Sequence, residues 1–546
     1  MMTKKWISLM TISLSVLLLV AGCQNGNSSS AVNSAEVQHK DDAAPMVGGE
    51  LNFALSISIV NDILDPHQTG SPQNSRVQRN IFDSLIVELP DHTFAPWLAE
   101  SWEVAEDGKS YTFKLRKDVK FHDGTSFNAE AVKFNFDRIL NLKAPGAAFD
   151  NIGSYESSEV LDEFTVEINF KTPFAPFLGN LSGENLGIVS PAAVEKYGDA
   201  FIHNPIGTGP FKLASFTAGT EYVLERNPDY NWPPANAKHK GPAYLEKVIV
   251  KVITEEATRV GVLQSGDVQA ADIIPPQNIL SFQQDKNFQL QEAEPLGFNA
   301  AIALNVQKAP LNDLKLREAL RTSLDLDTIV KTIYLGTHQR AYSSLSPSLF
   351  GYDASLESKW TSDPAAAADQ LDALGWVKGS DGIREKGGKR LTVEMIDFYA
   401  NREKRMDVMA LVQNQWRQNG IELKITSLAL GAYMERLKIG DFDLNMNSKY
   451  GADPDVARLA LNPWVPNSFD PIQDDELQNL LRQGNSELDV ENRKAIYSQI
   501  QHRIFDNVYS IPVYVFPYTV ASTKALKDLS FDIHGFPLFY DAWLQK

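Results

Sequence analysis

The sequence predicts an α/β protein organised as more than one lobe. Three observations predict it. Strand-like alternation and helix-like periodicity are interleaved through the chain and not segregated into blocks. The 546 residues exceed what one hydrophobic core organises, since single cores stop growing near ~250–300 residues. A 43% hydrophobic share is ordinary for a chain that folds around conventional cores.

The body opens at Gly48-Gly49, where apolar Leu51, Phe53 and Leu55 recur at every second position, as in a strand with one face buried. Tyr111–Leu115, Thr165–Phe170 and Val248–Val252 carry the same strand signal. Asp107-Gly108-Lys109 suits a tight hairpin turn ahead of one of them, and His122-Asp123-Gly124 a second turn. Asn128 is placed to cap a helix over Ala129–Leu140, with Glu130 in its first turn and Val132, Phe136, Ile139 and Leu140 on one face. Gly207-Thr208-Gly209-Pro210 lets the backbone turn sharply before the next strand. Further helices are expected over Asp363–Leu374, over Arg405–Asn419 with Gly420 as its stop, and over Val490–Asn507. Gly387-Gly388-Lys389 reads as an exposed hairpin turn. No short repeat or long low-complexity segment follows residue 47.

Before that body, Lys4 and Lys5 precede an apolar run over residues 6–22 that ends in Leu19-Val20-Ala21-Gly22-Cys23. This reads as a signal peptide over residues 1–22, and its end resembles the lipobox of bacterial lipoproteins. That resemblance implies a diacylglycerol thioether on Cys23; two acyl chains anchor stably where one does not. Residues 23–47 are then the lipidated cysteine and a flexible Asn-, Ser- and Ala-rich tether. On random-coil scaling of about 5–6 Å times the square root of its length, the tether keeps the body within tens of ångströms of a membrane. The expected location is the extracytoplasmic face of the cell membrane.

Cys23 is the only cysteine, so intramolecular disulfides and thiolate metal sites are excluded. The formal net charge of −18 argues against nucleic acid and against peripheral binding to anionic lipid. No His-Glu-x-x-His, Gly-x-Ser-x-Gly or complete phosphate-loop motif occurs, and the nine histidines are scattered. His122-Asp123 is read as part of a buried turn in preference to a metal pair. No catalytic residue, metal or cofactor is assigned, and the chain is expected not to be an enzyme.

The run from Trp97 to Ile139, which carries the strand at Tyr111, the His122-Asp123-Gly124 turn and the helix after Asn128, resembles the signature of the family 5 extracellular solute-binding proteins. Pro205-Ile206-Gly207-Thr208-Gly209-Pro210-Phe211, Arg226-Asn227-Pro228-Asp229-Tyr230-Asn231-Trp232, Leu304-Asn305 with Leu311 through Leu320, and Asp453-Pro454-Asp455 match further landmarks in order. The resemblance implies a two-lobed periplasmic-binding-protein-like fold of the cluster C type, with an extra domain in the first lobe and a hinge between lobes. On that pattern residues 48–80, 206–292 and 511–546 form the hinge domain of lobe 1. Residues 81–205 form its extra domain and residues 293–510 form lobe 2. The chain is expected to cross between lobes near Gly297-Phe298-Asn299 and near Tyr509-Ser510-Ile511-Pro512.

The resemblance also implies function. The chain is expected to be a monomeric receptor that closes on a small solute and delivers it to an ABC permease. Peptide is the leading solute; a nickel chelate or opine metallophore is the alternative, and an extracellular hydrolase or a chaperone-like or signalling lipoprotein are rivals. The expected binding residues are Tyr399, Arg402, Tyr450, Asp453, Arg458 and Trp464. Tyr399 and Arg402 follow the strand Leu391–Ile396 in a strand-to-helix loop, where a guanidinium suits a carboxylate. Tyr450 occupies the slot where peptide-binding relatives place an aspartate for the peptide's ammonium group, a departure that favours the chelate branch. Asp453→Ala and Tyr399→Ala are expected to weaken binding without unfolding the protein.

Overall fold

The computed structural model describes residues 44–142, 146–293, 296–398, 402–461 and 470–546, and residues 45–546 form one compact unit. Two main sheets organise it. The first has seven strands in the order Phe288–Ala293, Tyr518–Thr523, Ala270–Asp272, Glu50–Leu55, Lys247–Val252, Glu221–Arg226 and Phe211–Thr217. The opening strand lies at its centre, parallel to Lys247–Val252 and to Ala270–Asp272. The second has six strands in the order Gln339–Arg340, Ser510–Val515, Gly297–Leu304, Leu444–Tyr450, Thr392–Asp397 and Glu422–Ser427. Both are mixed sheets with helices packed on them, so strands at their centres are buried on both faces: Ser510–Val515 is buried at every position.

Each main sheet has its own core. Phe53, Leu224 and Val248 belong to the first, and Ile302, Val393, Trp416 and Leu444 to the second. Residues between the first two portions of the first sheet add a four-stranded antiparallel sheet, ordered Ala99–Val104, Ser110–Leu115, Thr165–Phe170 and Tyr155–Asp162. Its Phe113, Val166 and Ile168 merge with the core of the first sheet. Covering it is the helix Ala129–Asn141, where the Asn128 side chain accepts from the Ala131 amide at 3.0 Å and Val132, Phe136 and Ile139 are buried. Burying such side chains contributes about 1.5–3 kcal/mol each.

The other expected helices form as Pro364–Ala373, Arg405–Gln418 and Val490–Asp506, the first and third capped by Asp363 and Asp489. Gly387 and Gly388 form the turn between Arg384–Lys386 and Lys389–Arg390. No described helix is long and apolar enough to cross a membrane.

The second passage between sheets differs from the expected position. Tyr509–Pro512 stays with the second sheet, because Ser510–Tyr514 pairs with Ala300–Ala303. The chain crosses only at Phe516-Pro517, before Tyr518–Thr523 pairs with Phe288–Ala293.

His122 and Asp123 serve the scaffold. The His122 imidazole contacts the Gly209 carbonyl at 2.9 Å and the Gly207 amide at 3.4 Å, and Asp123 accepts from Ser190 and Thr125. Burial holds His122, and likewise His67 and His338, down at about 4. In the unfolded chain a histidine titrates near ~6.5. Their stabilising contribution is therefore complete above pH ~6.5 and is lost as pH falls toward 4. Asp83 runs the opposite way. It is raised to about 7 by burial, although Thr208, Trp232 and Tyr230 donate to it, so its contribution is lost as pH rises from ~4 toward 7. Three groups against one predict a melting temperature lower by several degrees at pH 4.5 than at pH 7, and a steeper fall in Asp83→Asn. A flat or rising melting temperature on acidification, followed by calorimetry, refutes this.

Candidate functional site at the seam between the two sheets

The second sheet's surroundings meet the first along a seam rich in charged and aromatic groups. Lys404 pairs with Glu256 at 2.9 Å, and the Ala175 amide donates to the Asn485 carbonyl at 2.9 Å. Ile533, in the C-terminal segment that returns to the first sheet, packs on a satellite core made of Leu296, Phe298, Ala452 and Val456. Gly179 sits so close to the opposite side that an added Cβ would lie 3.9 Å from that of Asp453.

Tyr450 ends the strand Leu444–Tyr450 at this seam, opposite Gly297. That pairing requires glycine: Gly297 has φ +140°, and a Cβ there would lie 2.1 Å from the Lys449 carbonyl oxygen. Across from Tyr450, Tyr518 donates to Asp272 at 3.2 Å, and the Arg76 guanidinium stacks over the Tyr518 ring at 4.3 Å while donating to Asp272 at 2.9 Å. Burial, then Asp272 and more weakly Tyr450, push the Tyr518 hydroxyl far above its ordinary range. Tyr450 and Tyr518 therefore stand near one another on opposite sides of the seam.

Asp453 and Arg458 are engaged in internal pairs. Both Asp453 carboxylate oxygens accept from Arg493, at 2.6 and 2.7 Å, and one also accepts from the Asp455 amide at 2.8 Å. Arg458 clasps Asp455 through its Nε and Nη2. Burial raises the Asp455 carboxyl even so. The two expected binding residues thus take part in an acidic turn that is a clamp at the start of the helix Val456–Leu461. Arg458 also senses Asp150 on the opposite side, so it borders the seam.

Of the remaining expected residues, Cys23, Tyr399 and Trp464 lie outside the described residues, and Arg402 begins the short helix Arg402–Lys404. That loop holds two features the sequence reading passed over. Glu403 and Lys404 adopt left-handed φ values of 56° and 59°, rare for residues with a side chain and worth about 1–3 kcal/mol of strain each. Glu403 then accepts from Tyr514 at 3.1 Å and from buried Arg405 at 2.9 Å. Burial works against the Arg405 charge, but Glu403 holds it firmly protonated.

Lobe 1 supplies groups that the sequence reading also missed. Arg79 pairs with Asp532 at 3.0 Å and stacks over Trp97 at 4.8 Å. One oxygen each of Glu184 and Asp532 and one nitrogen of His534 lie within 4.8 Å of one another. One signal was available: Arg76 and Arg79 are the only charges between Thr69 and Phe82, three residues apart in a helical stretch. Nothing local marks Glu184 or His534, which are 350 positions apart and meet only through the fold.

The comparisons with known proteins agree with this architecture. The sequence profile of the bacterial extracellular solute-binding proteins, family 5 (middle region), matches residues 93–468. The glutathione-binding protein GsiB of Escherichia coli O6:K15:H31 is 27% identical over 487 residues, covering 87% of this chain and 91% of that protein. The structure of NikA from Brucella suis in complex with Fe(III)-EDTA superposes with a TM-score of 0.80 at 30% identity, covering 91% of this chain and 100% of that one. NikZ from Campylobacter jejuni in complex with Ni(L-His) superposes with a TM-score of 0.76 at 25% identity, covering 90% and 99%. With a matching profile over most of its length and a two-lobed α/β architecture shared with these structures, the chain belongs to the bacterial extracellular solute-binding proteins of family 5.

Proposed function

We propose that this chain is the lipid-anchored, extracytoplasmic receptor of an ABC importer, and that it captures a peptide-like solute between its lobes for delivery to the permease. The observation that carries the reading is the seam itself. Two separately cored halves, joined where the chain passes between sheets, face each other with aromatic and oppositely charged groups: Tyr450, Arg458 and Lys449 on one side, Tyr518, Arg76 and Asp150 on the other. A zwitterionic solute matches such a lining, and contacts made to both halves at once stabilise only the closed state. The glutathione-binding relatives support a peptide-like solute. The proposed moving parts are residues 48–80, 206–292 and 517–546 with the extra domain 81–205, against residues 293–516, with the return passage at Phe516-Pro517 in place of the expected boundary at 510–511. The role is binding, not turnover.

A metal chelate is the second reading. Tyr450 in place of an aspartate favours it, as do the NikA and NikZ structures, which hold Fe(III)-EDTA and Ni(L-His).

Mass spectrometry of the full chain, extracted from membranes in detergent, tests the proposal. The intact mass should begin at Cys23 with a diacylglycerol adduct, and denaturation should release a peptide-like molecule. Glutathione or short peptides at ~100 times their dissociation constant should then add about 2.7 kcal/mol of stability. A metal-bearing small molecule moves the protein to the chelate reading. An unlipidated Cys23 removes the anchor, and indifference to every peptide removes the peptide class.

A further inference from the structure

We propose that Glu184, Asp532 and His534 form the subsite that receives the ammonium group of the solute, in lobe 1. This rests on the peptide-like reading above and names where the solute's positive end is held.

The three groups converge from distant parts of the chain. Glu184 begins the short helix Glu184–Leu186 that follows the helix Phe177–Ser182. Asp532 and His534 flank Ile533, the residue that packs on the satellite core across the seam. The imidazole lies against Gly183, where a Cβ would come 3.3 Å from its Cε1, so the glycine permits the approach. The chelating atoms lie within 4.8 Å of one another. One nitrogen can therefore reach all three at ~2.8–3.0 Å, and an ammonium carries three N–H donors.

Two buried polar atoms on these residues are left over by the fold, whereas Asp532 already accepts from the His534 and Phe536 amides at 3.1 and 2.8 Å. Glu184 is 2% exposed. Its Oε1 accepts from Ser75 and from Asn185, both at 2.7 Å, whereas its Oε2 is buried with no hydrogen-bond partner among the described residues. The His534 Nδ1 is in the same condition. A buried carboxylate oxygen without a donor costs free energy that a ligand's donor recovers.

Charge selects the occupant. Two carboxylates and the Arg79 guanidinium leave one negative charge, which an ammonium neutralises. A divalent metal would instead leave a buried net positive charge beside Arg79, which is costly in a low-dielectric site. Arg79 and Arg76 are already engaged by the fold: Arg79 donates to Ser84 and to the Ser182 carbonyl, each at 2.8 Å, besides its pair with Asp532, and Arg76 donates to Asp272 at 2.9 Å. The position also accounts for Tyr450: with the positive end held in lobe 1, lobe 2 needs no aspartate there.

The test uses the full chain in detergent and paired probes, glutathione and a short peptide set, each with a free or an N-acetylated amino group, by isothermal titration. Acetylation is expected to weaken binding at least thirtyfold. Glu184→Gln keeps the Oε1 acceptor and is expected to weaken the free-amine probes at least tenfold while leaving the acetylated ones within twofold. His534→Phe, which keeps the ring stacked near Phe536, should show the same selectivity. Equal loss for both probe forms, or no loss in either variant, overturns the subsite while leaving the peptide reading intact. Failure of all peptides overturns both. Saturable binding of Ni²⁺ or Co²⁺ that is lost in His534→Phe overturns the ammonium assignment in favour of a metal site.

Discussion

Arg493→Ala is expected to destabilise the protein by about 3–5 kcal/mol. Its guanidinium is buried, donates twice to Asp453 and once to the Gly484 carbonyl at 2.7 Å, and lies over Phe350 and Tyr497. Truncation strands the Asp453 carboxylate in a site where it is 9% exposed. Asp453→Ala should cost a similar amount by stranding Arg493, a larger effect on the fold than the sequence alone suggests. The double variant Arg493→Met with Asp453→Leu should recover most of the loss, because removing both charges removes the desolvation cost. Urea unfolding of the four proteins measures this. Single variants that cost under ~1 kcal/mol, or costs that simply add, would falsify the clamp.

Gly297→Ala should be the second large effect, and it should reach function. The residue is left-handed and its missing Cβ is replaced by the Lys449 carbonyl of the neighbouring strand. An alanine must push Leu444–Tyr450 away, which costs about 2–5 kcal/mol from overpacking and strain together. The displaced segment carries Lys449 and Tyr450 and adjoins the passage between sheets, so solute affinity should fall in whatever fraction folds. Gly336→Ala is the control: it shares a positive φ of 82°, but nothing lies within 4 Å of its added Cβ. It should cost only ~1–2 kcal/mol and leave binding unchanged. Equal losses at the two positions would show that the contact with Lys449 is not what matters.

These two sites show how far the sequence could be read. The helix after Asn128 was legible because its cap, first-turn Glu130 and apolar face are all local signals with one consistent period. The strand at Leu51–Leu55 and the Gly387-Gly388 turn were legible for the same reason. The landmarks from Trp97 to Asp455 also indicated the family before any coordinates. The return passage was misplaced because Ser510–Val515 is apolar throughout and carries no alternation that marks which sheet it joins. Only its pairing with Ala300–Ala303 decides that.

Local patterns in the chain were enough for the class: interleaved strands and helices, no thiol beyond Cys23, no recognised catalytic motif, and a family pattern that covers most of the chain. The tertiary structure decided which charged groups are available. Asp453, the most conspicuous acid in the sequence, is consumed by Arg493 40 positions away, whereas Glu184 and His534, inconspicuous in sequence, keep acceptor atoms that no described residue satisfies. The physical reason is that a carboxylate's role is set by the donors the fold brings to it. Those donors come from residues too distant in sequence for any local pattern to encode.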